Sequence, residues 1–557
     1  MKKSVGSRVV GLVILLGSLV VLQACGSESA GGPPESSASQ IAPLTGETAA
    51  VTNAVSHPAK MQVGDVFQSE FDGAQPGVLD LSDANPDSEY LLAVVNMNSD
   101  GTAQDVRLTA DLSAQSAPTE KNVTTEESWQ WNVQEALEDQ LRQLEQQTAQ
   151  LPALRASSGG KATTAPTRRS GPQVGDQERF RVIAGLSTLT RYNEVTARLA
   201  CIGAHVLWYM DLEIDRVNPR DMPDTDVQAQ CASFDRVVAR EQEMLGEASD
   251  INGDGRVAVL MSPQVNRIGA AGGGVVTGFF LSSDLHSRSS SNPVSNEREM
   301  LYLMVPDTGA RYGVAISREL ALQNLIPAVL PHELQHAISY NQHVLVRGGA
   351  PERSWLNEGI SHLMEDVLGE GQENPSRYEV YLQNPSAFGL VTPGSPGLAE
   401  RGGIFLLLRY LFEQYAGDGQ QFLRDLVNTS RSGVENLEAA FASKDPTFDR
   451  MSEFLLRFSA VLALNGSGVT RDPRYGFAAR QWQDTPRFHS GVCTVCDVND
   501  GRATQLSGVL PESLRGSVIA HVSGAAMRFY RVPGGRDSLA LSVPAGQIYG
   551  AVLIRIR

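Results

Sequence analysis

The sequence lacks the features that mark nucleic-acid and nucleotide proteins. A net charge of -17 over 557 residues leaves no basic stripe to hold phosphates, which excludes nucleic acid as an expected partner. No G-x-S-x-G, Walker A or dinucleotide-binding motif stands out, so the chemistries tied to those motifs have no support. The chain is too long for one hydrophobic core, and its length predicts several domains.

The apolar run near the N-terminus is too short to be a typical membrane span. Three basic residues precede Val9–Leu22, a 14-residue run of the length found in signal peptides. The run ends in LQAC, which resembles the bacterial lipobox, so Cys25 is expected to carry a lipid anchor. We therefore expect a lipoprotein signal peptide over residues 1–24, a flexible tether over 25–58 and an outer-membrane location. The alternative is an ordinary signal peptide with a cysteine nearby.

Cysteine is scarce, and four residues remain once Cys25 is set aside. An even number in an exported chain favours disulfide bonds. Cys493 and Cys496 are close enough in sequence to pair with each other. The alternative is half of a metal site shared with His489, but no second closely spaced pair exists to complete it. The candidate disulfide cysteines are Cys201, Cys231, Cys493 and Cys496.

Composition and periodicity divide the rest of the chain into segments. Strand-like runs between Asn, Asp and Gly turns predict an N-terminal β-domain over residues 59–115. Leucines at helical spacing predict one helix within a linker over 116–172. The range 173–475 mixes strands and helices, and 476–557 lacks helical periodicity and predicts a C-terminal β-domain. The expected fold class is therefore α+β and multidomain.

The segment PHELQHAISYNQH, which begins at Pro331, contains the pattern H-E-x-x-H. On a helix, His332 and His336 lie one turn apart on the same face, so both can reach one metal ion. Glu333 lies one position round from His332, beside the ion. That position suits a general base that acts on water at a zinc site.

A catalytic zinc needs a third protein ligand, and two residues are candidates. His343 follows His336 by one residue more than the metzincin pattern allows, and Ser339 stands where that pattern has glycine. Glu358 lies in SWLNEGISHLMED, and 21 residues separate it from His336. The intervening VLVRGGAPERS supplies a turn between two antiparallel helices. Glu358 is therefore the predicted third ligand.

The motifs HELQH and WLNEGISHLMED together resemble the gluzincin metallopeptidases. The nearer resemblance is to the hyicolysin family of secreted bacterial neutral metallopeptidases, and it extends over residues 174–441. It includes ARLACIGAHVLWYMD, DINGDGRVAVL, AAGGGVVTGFF and LLLRYLFEQYAG. The resemblance implies a zincin-like catalytic domain over residues 173–475, with a mixed sheet and zinc-site helices, flanked by small β-sandwich-like domains.

By this resemblance His332, His336 and Glu358 bind Zn²⁺, and Glu333 is the catalytic base. Glu365 lies seven residues beyond Glu358 on the same helical face, so we expect it to orient a zinc histidine.

Residues further along the chain are candidates for supporting roles in this scheme. His362 stands where some gluzincins have an aspartate that orients a zinc ligand. A tyrosine or histidine usually assists the oxyanion in this group of enzymes. The candidates are Tyr378, Tyr381 and Tyr410.

Two other motifs suggest different chemistry. Asp307 begins D-T-G, the aspartic-protease triplet, but that chemistry needs a second carboxylate and no second triplet occurs. A turn after a strand is the favoured interpretation. DINGDG resembles half of a calcium loop, with oxygens from Asp250, Asn252 and Asp254, but Met261 stands at the twelfth position. A turn is favoured there as well, and bound Ca²⁺ is the alternative.

The sequence thus predicts a zinc-dependent endopeptidase that cleaves protein or peptide substrates and is anchored to the bacterial envelope by lipid. One alternative is a zinc exopeptidase of aminopeptidase type. Another is a non-catalytic surface-binding or adhesion lipoprotein whose β-domains carry the function. An intact Glu333 favours catalysis, because binding alone would not need a general base.

Overall fold

A computed structural model describes residues 61–110, 119–120, 133–152 and 171–557. Within these ranges it leaves out 72, 74–75, 82–86, 187, 218–219, 416–418, 443, 446–447, 449, 478–479, 485–486, 500–503, 515, 536–537 and 545. The predicted signal peptide, the predicted lipid site Cys25 and the predicted tether lie outside the described residues.

The secondary structure of the described residues alternates between sheets and helices. The strands are β1 (Val66–Phe71), β2 (Gly77–Asp80), β3 (Glu89–Asn96), β4 (Gln104–Ala110), β5 (Thr119–Glu120), β6 (Gln177–Ile183), β7 (Tyr192–Ile202), β8 (Val206–Asp211), β9 (Val257–Met261), β10 (Gly278–Phe280), β11 (Met300–Leu303), β12 (Gln481–Asp484), β13 (Arg487–Ser490), β14 (Val498–Asn499), β15 (Thr504–Gln505), β16 (Glu512–Ser513), β17 (Ser517–Val522), β18 (Met527–Pro533), β19 (Ser538–Ser542) and β20 (Tyr549–Arg555). The α-helices are α1 (Val133–Thr148), α2 (Leu212–Val217), α3 (Asp224–Leu245), α4 (Pro263–Ala271), α5 (Arg318–Leu320), α6 (Ile326–Tyr340), α7 (Ser354–Val367), α8 (Asn374–Gln383), α9 (Leu398–Gln414), α10 (Gly419–Val427), α11 (Val434–Ala442) and α12 (Met451–Leu464). Tighter 3₁₀ turns occur at Ser282–Leu285, Gly371–Glu373 and Pro473–Tyr475, and π-helical segments at Ala321–Leu325 and Asn341–Val346.

Six strands form a mixed central sheet in the order β10-β11-β9-β8-β7-β6. β11, β9 and β8 run parallel, whereas β10 is antiparallel to β11, and β7 is antiparallel to β8 and β6. β8 and β9 are buried at every position, as expected for parallel strands covered on both faces. β10 lies at one edge of the sheet and contacts α6.

Helix α6 carries the H-E-x-x-H pattern through the protein interior. Every residue from Ala328 to Tyr340 is buried, which fits a helix that is apolar on most of its surface and packs against α3, α7 and β10. Pro331 lies within the helix, and its missing N–H removes one hydrogen bond to the preceding turn. The histidine positions are therefore enclosed by packing on several sides.

Helix α7 carries the second motif and packs against both α6 and α9. Gly359 permits the close approach to α9, because a Cβ atom there would lie 2.3 Å from Ile404 Cγ2 and 2.7 Å from Leu408 Cδ1. The segment WLNEG thus supplies Glu358 and, next to it, the glycine on which the α7–α9 contact depends.

The strands near the two ends of the described chain pair with each other. One five-stranded sheet has the order β1-β20-β3-β18-β16, and the other has the order β2-β19-β4-β17-β5. Leu92, Val106, Leu541 and Leu553 share one buried cluster with other residues of these sheets. The structure therefore corrects the prediction of two separate β-domains: residues 59–115 and 476–557 contribute to the same two sheets.

The helix predicted within the linker of residues 116–172 is present as α1, and it packs against the core of the protein. Leu137 and Leu141 are buried in the same apolar cluster as the central sheet. The described residues belong to one compact unit with an α+β fold and several sheets. No helix within the described ranges is both long enough and apolar enough to span a membrane.

Candidate metal centre

Three side chains from two helices converge at one point in the interior. His332 Nε2 of α6 lies 3.4 Å from Glu358 Oε2 of α7, and His336 Nε2 lies 3.6 Å from Glu358 Oε1. One ligand atom from each residue lies within 4.8 Å of the other two. The structure thus brings together all three predicted zinc ligands, and all three are buried.

The geometry and chemistry of this cluster suit a divalent metal ion. Two ligand atoms about 2.0–2.1 Å from a tetrahedral metal lie roughly 3.3 Å apart, close to the observed separations. His332 Nε2 and Glu358 Oε1 are buried and have no hydrogen-bond partner among the described residues. Buried polar atoms without a partner are costly, and coordination would satisfy both.

Glu333 lies beside this cluster and is oriented by the edge strand. The backbone N–H of Phe280 in β10 donates a hydrogen bond of 2.8 Å to Glu333 Oε2. The other oxygen, Oε1, has no hydrogen-bond partner among the residues described. Burial raises the pKa of Glu333 to about 7, which is near the optimum for a general base at neutral pH.

Glu365 contacts His332 as the sequence predicted. Its Oε1 accepts hydrogen bonds from His332 Nδ1 at 2.7 Å and from His362 Nδ1 at 2.9 Å. Burial opposes ionisation of Glu365, but His362, Arg377 and the hydrogen bond from His332 together lower its pKa below the usual range. A carboxylate at His332 Nδ1 keeps Nε2 directed at the candidate metal position.

The two histidines of this hydrogen-bond network differ in charge. Burial opposes protonation of His332, but the nearby carboxylates of Glu358 and Glu365 raise its pKa to about 10. A metal ion that binds there would displace a proton. Burial lowers the pKa of His362 to about 3, so this ring is neutral and donates its Nδ1 proton to Glu365.

Arg401 is a member of the site that the sequence analysis did not identify. It lies on α9, and its Nη1 donates a 2.8 Å hydrogen bond to Glu358 Oε2 and forms an ion pair with Glu138 of α1. Burial disfavours the charge on Glu358, but Arg401 and the two histidines lower its pKa well below the usual range. The available signal was that Arg401 directly precedes the apolar run GGIFLLL. An arginine buried in such a helix needs an acidic partner.

Three charged residues of α1 also face the site and were missed. Glu138, Arg142 and Glu145 are buried, and Arg142 Nε lies 3.9 Å from Glu358 Oε1. Arg142 Nη1 pairs with Glu145 Oε1 at 3.0 Å. Their i, i+4, i+7 spacing places all three on one helical face. This spacing was visible in the sequence, but the leucine stripe beside it suggested only a packed helix.

The candidates for oxyanion assistance are not part of this cluster. Tyr378 donates a 2.8 Å hydrogen bond to Asp497 Oδ2, and Tyr410 donates one of 2.9 Å to the Arg474 carbonyl. Tyr381 is completely buried. None of the three lines the cavity of about 130 Å³ that touches His332 and Glu333, as far as the described residues define it.

The other polar motifs form local structure. Asp307 accepts hydrogen bonds from the backbone N–H groups of Arg311 and Tyr312, which matches the predicted turn. Asp250 Oδ1 accepts the N–H of Gly255, while Asn252 Oδ1 accepts that of Asp254.

The side chains of the DINGDG loop thus bond to their own turn before β9. The rejected ligand candidate His343 is buried near Glu352, with 4.0 Å between His343 Nε2 and Glu352 Oε2.

The four remaining cysteines form two disulfide bonds, which confirms the favoured prediction. Cys201 of β7 pairs with Cys231 of α3, and Cys493 pairs with Cys496. His489 instead stacks on Trp482 and bonds to Asp484 through Nε2 at 2.9 Å. The alternative of a metal half-site at Cys493 and Cys496 is therefore wrong.

Comparison with known proteins adds no family assignment. No protein-family model matches the chain, and no curated protein matches it significantly.

Proposed function

We propose that this chain is a zinc-dependent endopeptidase of gluzincin type with a zincin-like catalytic domain. The observation that carries the proposal is the convergence of His332, His336 and Glu358 with Glu333 alongside. Two imidazoles and one carboxylate are a common donor set of catalytic zinc, which keeps an open position for reaction. The site resembles the gluzincins in these four residues, and the hyicolysin family in its flanking segments.

Each residue of the site has a defined part in peptide hydrolysis. Zinc, when bound, supplies a Lewis acid that acidifies water and offsets the charge that develops on a peptide carbonyl. Glu333 accepts a proton from the attacking water through Oε1 and then delivers it to the leaving amine. Phe280 N–H holds the other carboxyl oxygen in place. Glu365 fixes the orientation of His332, and Arg401 keeps Glu358 ionised.

Endopeptidase activity is favoured over exopeptidase activity by the edge strand. β10 lies at the edge of the central sheet next to Glu333. An extended peptide can add to such an edge through main-chain hydrogen bonds and so pass the site along its length. This mode of binding holds internal peptide segments and does not require capture of a charged terminus.

The cellular location is proposed from the sequence. LQAC at residues 22–25 supports lipidation of Cys25 and attachment to the bacterial envelope, with the outer membrane favoured. Replacement of Cys25 by Ser should abolish labelling by a fatty-acid probe and release a soluble protein. Unchanged membrane association of that variant would contradict the anchor.

The decisive experiment combines zinc analysis with cleavage of casein, with and without a chelator. The wild-type protein should contain about one zinc ion per chain. Glu358→Ala should lose both zinc and activity. Glu333→Gln should keep its zinc, because the residue lies beside the metal, but its rate should fall by at least about 10²-fold.

Glu435→Gln is the matched control, because this side chain is 75% exposed on α11. It should match the wild type in zinc content and in rate. Full zinc and full activity in Glu358→Ala would contradict the ligand assignment. Peptides blocked at both termini distinguish the alternatives: an exopeptidase leaves them intact, and a binding lipoprotein cleaves neither these peptides nor casein.

A further inference from the structure

Helix α1 contacts the edge strand and the candidate metal centre at the same time. Its apolar side is anchored by Leu137 and Leu141, which are buried with the central core. Gln134, at its N-terminal end, contacts β10 and the residue before it. Thr148, at its C-terminal end, shares a 2.9 Å hydrogen bond with Ser282 and accepts one of 3.0 Å from Tyr340. Hydrogen bonds therefore hold the helix in place at both of its ends.

Gln134 forms with the edge strand the hydrogen bonds that a peptide group would form. Its Nε2 donates to the carbonyl of Gly278 at 3.0 Å, and its Oε1 accepts the backbone N–H of Thr277 at 3.0 Å. A side-chain amide has the same donor and acceptor as a main-chain peptide. The residue thus occupies the backbone groups that strand addition by a substrate would use.

The charged side of α1 contacts the metal ligands directly. Arg401 joins Glu138 of α1 to Glu358, and Arg142 Nε lies 3.9 Å from the same carboxylate. Glu138 also lies within 4.8 Å of His332 and Glu333, measured between their ligand-type atoms. Glu138 and Arg401 line the cavity of about 130 Å³ beside the general base, where a scissile peptide would have to lie.

We propose that α1 is an autoinhibitory helix that occupies the substrate groove, and that its displacement activates the enzyme. The inference rests on the proposed peptidase function and adds the regulation of that site. The charged side chains of α1 regain full hydration when the helix leaves, which lowers the cost of undocking relative to a wholly apolar helix. A peptide substrate then gains access to β10 and to Glu333.

The test uses the full-length, zinc-loaded protein with the paired substitution Leu137→Asp and Leu141→Asp. Two charges at buried positions expel α1 from its groove. The matched control, Gln146→Asp with Gln147→Asp, adds the same two charges at exposed positions of the same helix. Hydrogen exchange over residues 133–148 reports separately whether the helix has left.

We expect rapid exchange across α1 in the leucine variant only. Its rate of casein cleavage should rise by about 10- to 1000-fold, because an open state populated at roughly 0.1–10% becomes the main state. A synthetic peptide of residues 131–152 should inhibit this variant again. The same peptide with aspartate at positions 137 and 141 should not inhibit it.

The outcomes separate this inference from the proposed function. If α1 exchanges rapidly and zinc is retained, but the rate of casein cleavage is unchanged or lower, α1 is not an inhibitor. If no form cleaves casein, the peptidase proposal fails. Binding of fluorescent casein then tests only whether α1 blocks the substrate groove. Tighter casein binding by the leucine variant than by the control would support the proposal that α1 blocks the groove, and equal binding would refute it.

A second route applies if the leucine variant misfolds or retains α1. Recognition sequences for a site-specific protease, placed within residues 121–132 and within 153–170, allow α1 to be excised after folding. The cleavage and binding measurements then apply unchanged to the excised protein. Zinc-loaded protein without α1 that cleaves and binds casein no better than the uncut chain would overturn the proposal.

Discussion

Substitution of Glu365 by glutamine tests whether zinc affinity depends on the hydrogen bond behind His332. Glu365 Oε1 accepts hydrogen bonds from two imidazoles, from His332 Nδ1 at 2.7 Å and from His362 Nδ1 at 2.9 Å. Glutamine has nearly the same size and keeps one acceptor oxygen. It removes the negative charge that makes both hydrogen bonds strong and favours the metal-binding tautomer of His332.

The expected loss follows from the position of Glu365 next to a ligand. Residues that orient a ligand in this way typically contribute about 10- to 100-fold to metal affinity, which is roughly 1.4–2.7 kcal/mol. We expect the upper half of that range, because the carboxylate is buried and serves two rings. His362→Ala should change zinc affinity less, since it leaves Glu365 paired with His332.

Zinc affinity is measured by competition with a chromogenic chelator at neutral pH. Glu435→Gln, on the exposed face of α11, is the control for loss of one carboxylate and should bind zinc like the wild type. Equal zinc affinity of Glu365→Gln and the wild type, in a preparation where Glu358→Ala loses zinc, would refute the argument that Glu365 positions His332.

Three further predictions concern stability. Burial raises the pKa of Glu241 well above 4.5, and neither carboxyl oxygen has a hydrogen-bond partner in the described part of the chain. As pH rises, the folded state therefore keeps the Glu241 proton to a higher pH than the unfolded state does. The free energy of unfolding consequently falls as pH rises above about 4.5. Urea unfolding at pH 5, 6 and 7 should show the wild type losing about 1.4 kcal/mol per pH unit relative to Glu241→Gln, until the folded-state pKa is reached; parallel pH profiles would contradict this. Cys201→Ser with Cys231→Ser should lower the free energy of unfolding by about 3–4 kcal/mol, given a sequence separation of 30; an unchanged denaturation midpoint would contradict it. Gly359→Ala should lower the free energy of unfolding by up to about 2 kcal/mol and should lose part of the zinc, since the new Cβ meets Ile404 on α9. Full zinc content together with unchanged unfolding in calorimetry would show that α7 can shift to accommodate the Cβ.

The convergence of the three candidate metal ligands could be predicted because their geometry is mostly local. His332 and His336 share one face of a helix through their spacing alone, and Glu365 shares a face with Glu358 for the same reason. Only one long-range step was needed, the approach of α7 to α6, and a Gly-rich turn indicated it. Gly359, next to Glu358, permits the close approach of α7 to α9, and this contact cannot be recognised from the sequence alone.

The contacts that were missed all join distant parts of the chain. Arg401 follows Glu358 by 43 positions, and Glu138 precedes it by 220. Helical periodicity identifies which face of each helix is buried, but not the partner of that face. The terminal strands show the same limit, because alternation predicts that β1 and β20 are strands without indicating that they pair.

The charges on α1 argue that the helix is more than a structural support. Its leucine stripe alone would hold a helix against the core, and an ordinary packing helix gains little from burying Glu138, Arg142 and Glu145 as well. Replacement of buried ion pairs by apolar residues is often neutral or stabilising by about 1–4 kcal/mol. Apolar residues on that face would hold α1 in place permanently. If the helix undocked, they would expose an apolar surface that is prone to aggregation. With charged residues that pair with Arg401 and approach Glu358, α1 fits the closed site and remains soluble when it leaves the site.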